Sequence, residues 1–324
     1  MMRRLAAVAW LVASGLTASV GQSAAQAEYP TKPIRFVTPF APGSGSDVVA
    51  RVVAQHAAAS LGQPMVVENM AGASGAIGAA NVARAAPDGY TVLLGSVTTH
   101  AANQSLVKNL SYKPVAEFAP VSKLGTVALA LLVHPSVPAE SVRELIGHAK
   151  ANPGKLTFAS GSASSRVAAE MFRTMAGLDM LHIPYKSNPQ ALTDLVGGQT
   201  SLAFADLAAA LPFVKSGKLK ALAVSTARRS AFAPDVPTVA EAGVPGYELT
   251  GWLAAYVPAR TPRPVVEKLN AAFRAALAGE GAAATLERAG IEATPSTPEE
   301  LAAFSEAETK KWAEVVKAAG IEPE

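Results

Sequence analysis

The sequence predicts an α/β chain folded as two lobes with a cleft between them, and three observations carry that prediction. From Glu28 onward, short β-branched runs alternate with longer stretches of helical periodicity, the pattern of repeated βα units around a largely parallel sheet. A chain of 324 residues exceeds the usual size of a single core. Two continuous apolar runs, residues 127–133 and 252–257, read as buried strands placed to carry the chain from one lobe to the other and back.

The elements follow in order. Residues 34–38 form the first strand, and a helix over 47–61 follows, closed by Gly62. Residues 65–68 give a second strand, 76–86 a second helix and 90–94 a third strand, the last two separated by the turn Pro87-Asp88-Gly89. Ser141 and Glu144 have capping-box spacing and open a helix that ends at Asn152-Pro153-Gly154. Strands at 156–159, 181–184, 202–204 and 219–225 continue the series, with helical stretches such as 166–175 between them. Residues 234–246, rich in Pro and Gly, read as a surface loop. Two helices finish the chain, 264–278 and 298–319, the second announced by Thr297 as N-cap, Pro298 at the first helical position and Glu300. Lobe one is expected to hold residues 28–126 and 251–324, and lobe two residues 127–250.

The N-terminus sets the compartment. Arg3 and Arg4 precede an apolar stretch that Ser14 and Gly15 interrupt, and Ala25-Gln26-Ala27 has the small-x-small cleavage pattern. Residues 1–27 therefore read as a signal peptide removed on export to the periplasm, and the broken apolar run argues against a membrane anchor. The chain has 28 Lys+Arg and 25 Asp+Glu; without Arg3 and Arg4 the count is 26 against 25, which gives no electrostatic footprint for nucleic acid or a membrane surface. With no cysteine, disulfides, thiol catalysis, cysteine metal sites and a lipidated cysteine are all excluded.

The candidate chemistry lies in two loops. Phe40 to Asp47, with Gly43, Ser44, Gly45 and Ser46 between, joins the first strand to the first helix without bulky side chains. Such a loop leaves backbone N–H groups free to face an anion at a helix N-terminus. A plain tight turn capped by Ser46 or Asp47 fits the same residues. Ser160, Gly161, Ser162, Ser164 and Ser165 form a second loop of this kind, ahead of Arg166. The Arg166 guanidinium can meet a carboxylate bidentately or pair with Glu170 along the helix. Thr98, Thr99 and His100 follow the third strand and can line the same opening, although a buried histidine is more often structural. Residues 71–78 resemble a dinucleotide loop only superficially and read as a turn opening a helix. No Gly-x-Ser-x-Gly, His-Glu-x-x-His or Walker pattern is present, and the five histidines lack metal-ligand spacing, so binding without chemistry and without a cofactor is expected. An exported hydrolase or isomerase with a cleft Ser or Asp is the alternative. A regulator's effector domain is disfavoured by the export signal and by the lack of a helix-turn-helix segment.

Several stretches together resemble a known family: Tyr29-Pro30-Thr31-Lys32-Pro33-Ile34-Arg35, Leu61-Gly62-Gln63-Pro64, Ala86-Pro87-Asp88-Gly89-Tyr90-Thr91, Ile183-Pro184-Tyr185-Lys186, Ala191-Leu192-Thr193-Asp194-Leu195 and Pro234-Asp235-Val236-Pro237-Thr238 running on to Gly243. The mature chain is similar throughout to the tripartite tricarboxylate transporter receptors, or Bug proteins, which are periplasmic solute-binding proteins. The resemblance implies a type II-like, Venus-flytrap fold closing on a small carboxylate: a di- or tricarboxylate, an acidic amino acid or an aromatic acid. It implies a carboxylate held by the two loops largely through backbone amides and waters, and delivery to membrane transporter subunits or a sensor kinase by a protein expected to be monomeric. Two departures stand out: Gly43-Ser44 replaces the family's double glycine, and Arg166 stands where a histidine is frequent. Tyr185, Lys186 and Asp206 are candidates for the distal part of the pocket, with packing or solvation as equal alternatives.

Overall fold

The computed structural model describes residues 29–323, so the signal peptide expected over residues 1–27 lies outside the described residues. The elements run β1 (Ile34–Thr38), α1 (Gly45–Leu61), β2 (Met65–Asn69), α2 (Ala76–Ala83), β3 (Thr91–Ser96), α3 (Asn103–Leu106), β4 (Phe118–Val133), α4 (Val142–Ala151), β5 (Thr157–Ser160), α5 (Ala163–Ala176), β6 (Leu181–Pro184), α6 (Asn188–Val196), β7 (Leu202–Asp206), α7 (Leu207–Lys215), β8 (Lys220–Val224), β9 (Thr250–Pro258), α8 (Arg263–Ala278), α9 (Glu280–Arg288), β10 (Ile291–Ala293) and α10 (Pro298–Ala318).

Two sheets share one long strand. Along its first part β4 pairs antiparallel with β9 and β10, in a sheet that continues through β3 and β1 to β2. From Leu129 to Val133 it pairs instead with β7 and β8, in a sheet that continues through β5 to β6. Within each sheet the strands followed by helices run parallel: β1, β2 and β3 in the first, β5, β6 and β7 in the second. Their carboxyl ends therefore face the same side, which is where α/β sheets bind ligands. The two-lobed α/β architecture expected from the sequence is thus the one adopted.

Local sequence explains the boundaries. Gly62 caps α1 in the left-handed region at φ 68°, which a glycine adopts without a Cβ penalty. Thr297 accepts from the Glu300 amide while Glu300 reaches back to the Thr297 amide, completing the capping box that opens α10. At α4, Ser141 accepts from the Glu144 amide, but the Glu144 carboxylate accepts from the Glu140 amide, one residue earlier than a full box requires. The cap of α1 corrects the sequence reading: it is Ser44, whose hydroxyl accepts from the Asp47 amide, and not Ser46 or Asp47. β4 begins at Phe118, nine residues before the apolar run that marked it. Its first part carries Pro120, Ser122, Lys123 and Gly125 and shifts register twice, so it lacks an uninterrupted apolar signal.

Three apolar clusters hold the layers together. One packs α1 and α8 on β1, including the stacked rings of Phe36 and Phe273 at 5.9 Å. One packs α6 and α7 on β4 and β7. The third runs from β3 through α10 to α5 and joins the two sheets. In it, Glu308 of α10 accepts from the indole N–H groups of Trp252 at 2.8 Å and Trp312 at 3.1 Å, all three side chains being buried. Glu308→Ala strands both donors, and the expected cost is about 2–4 kcal/mol in urea unfolding, with Glu308→Gln milder because one acceptor remains.

Candidate functional site

Five strand-to-helix connections converge at the carboxyl ends of β1, β3, β5, β6 and β7. They enclose a deep cavity of about 40 Å³, floored by Leu129, Gly251 and Trp252 from the strands that cross between the sheets. Phe40, Ser44 and Ser46 enter it from β1–α1, Thr98 from beyond β3, and Ser162 and Ser164 from β5–α5. Glycine and serine mark the β1–α1 and β5–α5 connections, where small side chains leave the helix N-terminal amides accessible.

The second connection is tightly built. Ser162 caps α5, accepting from the Ser165 amide, and Ser165 returns the bond to the Ser162 amide. The Gly161 amide donates to Asn188 Oδ1 at 3.1 Å and to Ser165 Oγ at 3.2 Å. Asn188 begins α6, so the β5 and β6 connections are fastened to each other. A Cβ on Gly161 would collide with the Ser187 carbonyl and the Asn188 amide. In the first connection, Gly43 takes φ +81° and its amide donates to Asp47 Oδ2 at 3.0 Å. Asp47 also accepts from Arg51 and Asn69. Burial pushes the Asp47 carboxyl up, but these three bonds outweigh it and hold the group below the ordinary carboxylate range. Gly43, Asp47, Gly161 and Ser165 thus shape the loops, while Phe40, Ser44, Ser46, Thr98, Ser162 and Ser164 line the cavity.

Two bonds join the loops across the cleft. Gly45 N–H donates to Asp206 Oδ2 at 3.2 Å, and Ser164 N–H donates to Thr98 Oγ1 at 3.4 Å. Asp206 ends β7 and is the one ionisable side chain among the residues lining the deep cavity. Burial pushes its carboxyl up, opposed in part by the Gly45 amide. Ser96, which lies two residues beyond the strand read from sequence, also lines the cavity. Its buried hydroxyl has no hydrogen-bond partner among the described residues and so remains available to accept or donate within the cavity.

A separate outer cavity of about 200 Å³ shares Ser162 with the deep one as a lining residue and carries Ser160, Arg166 and Tyr185. Ser160 Oγ lies 2.7 Å from His182 Nε2, and Tyr185 donates to Asp194 Oδ2 at 2.8 Å. Arg166 therefore lies in the outer cavity, outside the deep one. Lys186 is exposed and lines neither, and Asp206 belongs to the deep cavity. His100 is structural: it stacks on Tyr256 at 3.8 Å, and burial pushes its imidazole down to about 3, so it stays neutral. Sequence reasoning missed Ser96, Ser187, Asn188, Ser74, Asn103 and His182. Ser187-Asn188-Pro189 carried a readable signal, a helix start with proline in the first turn directly after a strand.

Residues 49–321 match the tripartite tricarboxylate transporter family receptor. The chain belongs to this receptor family. It is 36% identical to protein BugT of Bordetella pertussis over 99% of this chain and 98% of that one. Among solved receptors it superposes on the periplasmic binding protein BugD with TM-score 0.87 and 35% identity, covering 91% of this chain and 100% of that one. An R. palustris protein solved with adipate gives TM-score 0.89 and 34% identity over 91% of this chain and 100% of that one. MatC from Rhodopseudomonas palustris with bound malate gives 0.84 and 33% over 89% and 100%. The receptor family named by the sequence resemblance, and its two-lobed fold, are therefore those of this chain.

Proposed function

We propose that the protein is a periplasmic receptor that closes on a small carboxylate and passes it on, chemically unchanged, to membrane transporter subunits or a sensor kinase. The observation that carries this reading is the convergence of the α1 and α5 N-termini, with Ser44, Ser46, Ser96, Thr98, Ser162 and Ser164, on one cavity. Amides and hydroxyls at helix N-termini stabilise an anion without a fixed cation. The adipate and malate of two similar structures support an acid of that size. At about 40 Å³ the deep cavity has room for two or three waters, so a ligand enters only as the loops part.

In this reading the mature, monomeric chain begins at Glu28 after cleavage behind Ala27, and no cofactor takes part. Residues 28–126 and 251–324 move against residues 127–250; the change of β4 partners at Leu129 supports that division. Phe40, Gly45, Ser46, Ser162 and Ser164 contact the carboxylate, with Gly43, Asp47, Gly161 and Ser165 holding the loops in place.

A thermal-shift screen of refolded, ligand-stripped protein against mono-, di- and tricarboxylates, acidic amino acids and aromatic acids tests the reading. A melting temperature that rises with the concentration of one acid class is expected, because a ligand at a hundredfold excess over Kd adds about 2.7 kcal/mol of stability. Recovery of the acid unaltered is expected as well. Its conversion to product would favour the hydrolase or isomerase alternative, for which Ser160 and His182, both lining the outer cavity, form a hydroxyl–imidazole pair.

A further inference from the structure

Behind the crossing strands lies a groove of about 680 Å³ that the carboxylate reading does not use. Ala128 of β4 and Thr250 of β9 are paired and line it, while Leu129 and Gly251, the next residue along each strand, line the deep cavity. Successive residues of a strand face opposite sides, so the groove and the deep cavity lie on opposite faces of the same two strands. Ser225 fastens those strands together: its hydroxyl accepts from the Leu129 amide at 3.2 Å and donates to the Leu249 carbonyl at 2.6 Å. The rims of the groove belong to the two bodies that the reading above moves against each other. One rim is residues 226–232, which leave directly from Ser225 and carry Arg228; the other is α9 and β10, which carry Glu287 and Glu292. Arg229 is paired with Glu241 at 2.8 Å, and Glu292 accepts from Thr126 Oγ1 at 3.4 Å. Arg228 and Glu287 are exposed, and among the described residues neither side chain makes an ion pair or hydrogen bond.

Resting on that lobe motion, we propose that Arg228 and Glu287 form a counter-latch that holds the deep cavity open and so sets the receptor's affinity from the opposite face of the hinge. With the crossing strands fastened at Ser225, a rotation that parts the lobes at the deep cavity brings them together behind it. The groove narrows, and the Arg228 guanidinium meets the Glu287 carboxylate across it. Closing the lobes at the deep cavity draws the two charges apart, so the pair opposes closure and lowers the apparent affinity for whatever the cavity holds. An exposed ion pair is weak, which suits an equilibrium that one small bound molecule has to reverse.

The chain has no cysteine, so one cysteine introduced at an exposed position in each lobe carries a spin label at a defined place. Pulsed electron-resonance distances between the labels, in protein refolded free of acids, test the proposal. Arg228→Glu is expected to raise the ratio of closed to open molecules about two- to fivefold, and Glu287→Arg alone to do the same. The double reversal, Arg228→Glu with Glu287→Arg, is expected to restore the wild-type distribution, which a general loss of stability would not do. Unchanged distributions in the single variants, or a double variant no nearer wild type than either single, would overturn the counter-latch. Succinate, glutarate and citrate added to the wild-type protein keep this apart from the carboxylate reading. Lobes that close with none of them count against that reading, while the acid-free variants still decide the counter-latch.

Discussion

Gly161→Ala is expected to cost about 3 kcal/mol or more of stability and to abolish acid binding with it. The added methyl lands on the Ser187 carbonyl and the Asn188 amide, which are main chain and cannot rotate away. Relief requires the β5–α5 and β6–α6 connections to separate, which also breaks the bond from the Gly161 amide to Asn188 Oδ1. Overpacking a closely fitted site costs about 1–3 kcal/mol, and a collision with backbone lies at or beyond the upper end. Urea unfolding and titration with the ligand found in the acid screen measure the two effects. Gly147→Ala is the control. A Cβ there meets nothing within 4 Å, and the position lies inside α4, so the same substitution should stabilise by about 0.5–1 kcal/mol. A Gly161→Ala protein as stable as the Gly147→Ala control would mean that the two connections are not fastened as described.

Asp206→Asn is expected to strengthen binding of an anionic ligand by about tenfold, the opposite of what losing a ligand-holding residue does. Asp206 is half-buried against the deep cavity, and no other lining residue is ionisable, so its charge and that of a bound carboxylate repel across a poorly screened space. The same residue gives a pH signature. Burial raises the Asp206 carboxyl in the folded protein, so the fold binds the proton more tightly than the unfolded chain does. Its contribution is then fully favourable below the ordinary carboxylate pKa and is lost as the pH rises through the raised value. Asparagine cannot ionise, so the variant should lose this decline and melt higher than wild type at pH 7. Weaker acid binding by Asp206→Asn would instead indicate a ligand that offers Asp206 a cation or a donor.

Much of the frame could be read from residues alone because its signals are local. The bounds of β1 and β6, the Gly62 cap, the Thr297 capping box and the returning strand β9 each depend on a few adjacent residues. The first part of β4 was not legible, since Pro120, Lys123 and Gly125 interrupt its pattern and long-range pairing with β9 holds it as a strand. Nor were α9 and β10, which are short and depend on packing beside β4. The two anion-facing loops were visible as glycine and serine between a strand and a helix. The outer cavity was not: Ser74, Asn103, Arg166 and His182 are ordinary residues one at a time, and only the approach of the two sheets brings them together.

The most direct test of the account compares a dicarboxylate with its diamide by titration calorimetry on the ligand-stripped protein. The two have the same carbon chain and nearly the same shape, and they differ in charge. Recognition by the α1 and α5 N-termini predicts that the diacid binds and that the diamide binds at least about a hundredfold more weakly. Equal binding of the two, or binding of the diamide alone, would contradict an anion site at these loops.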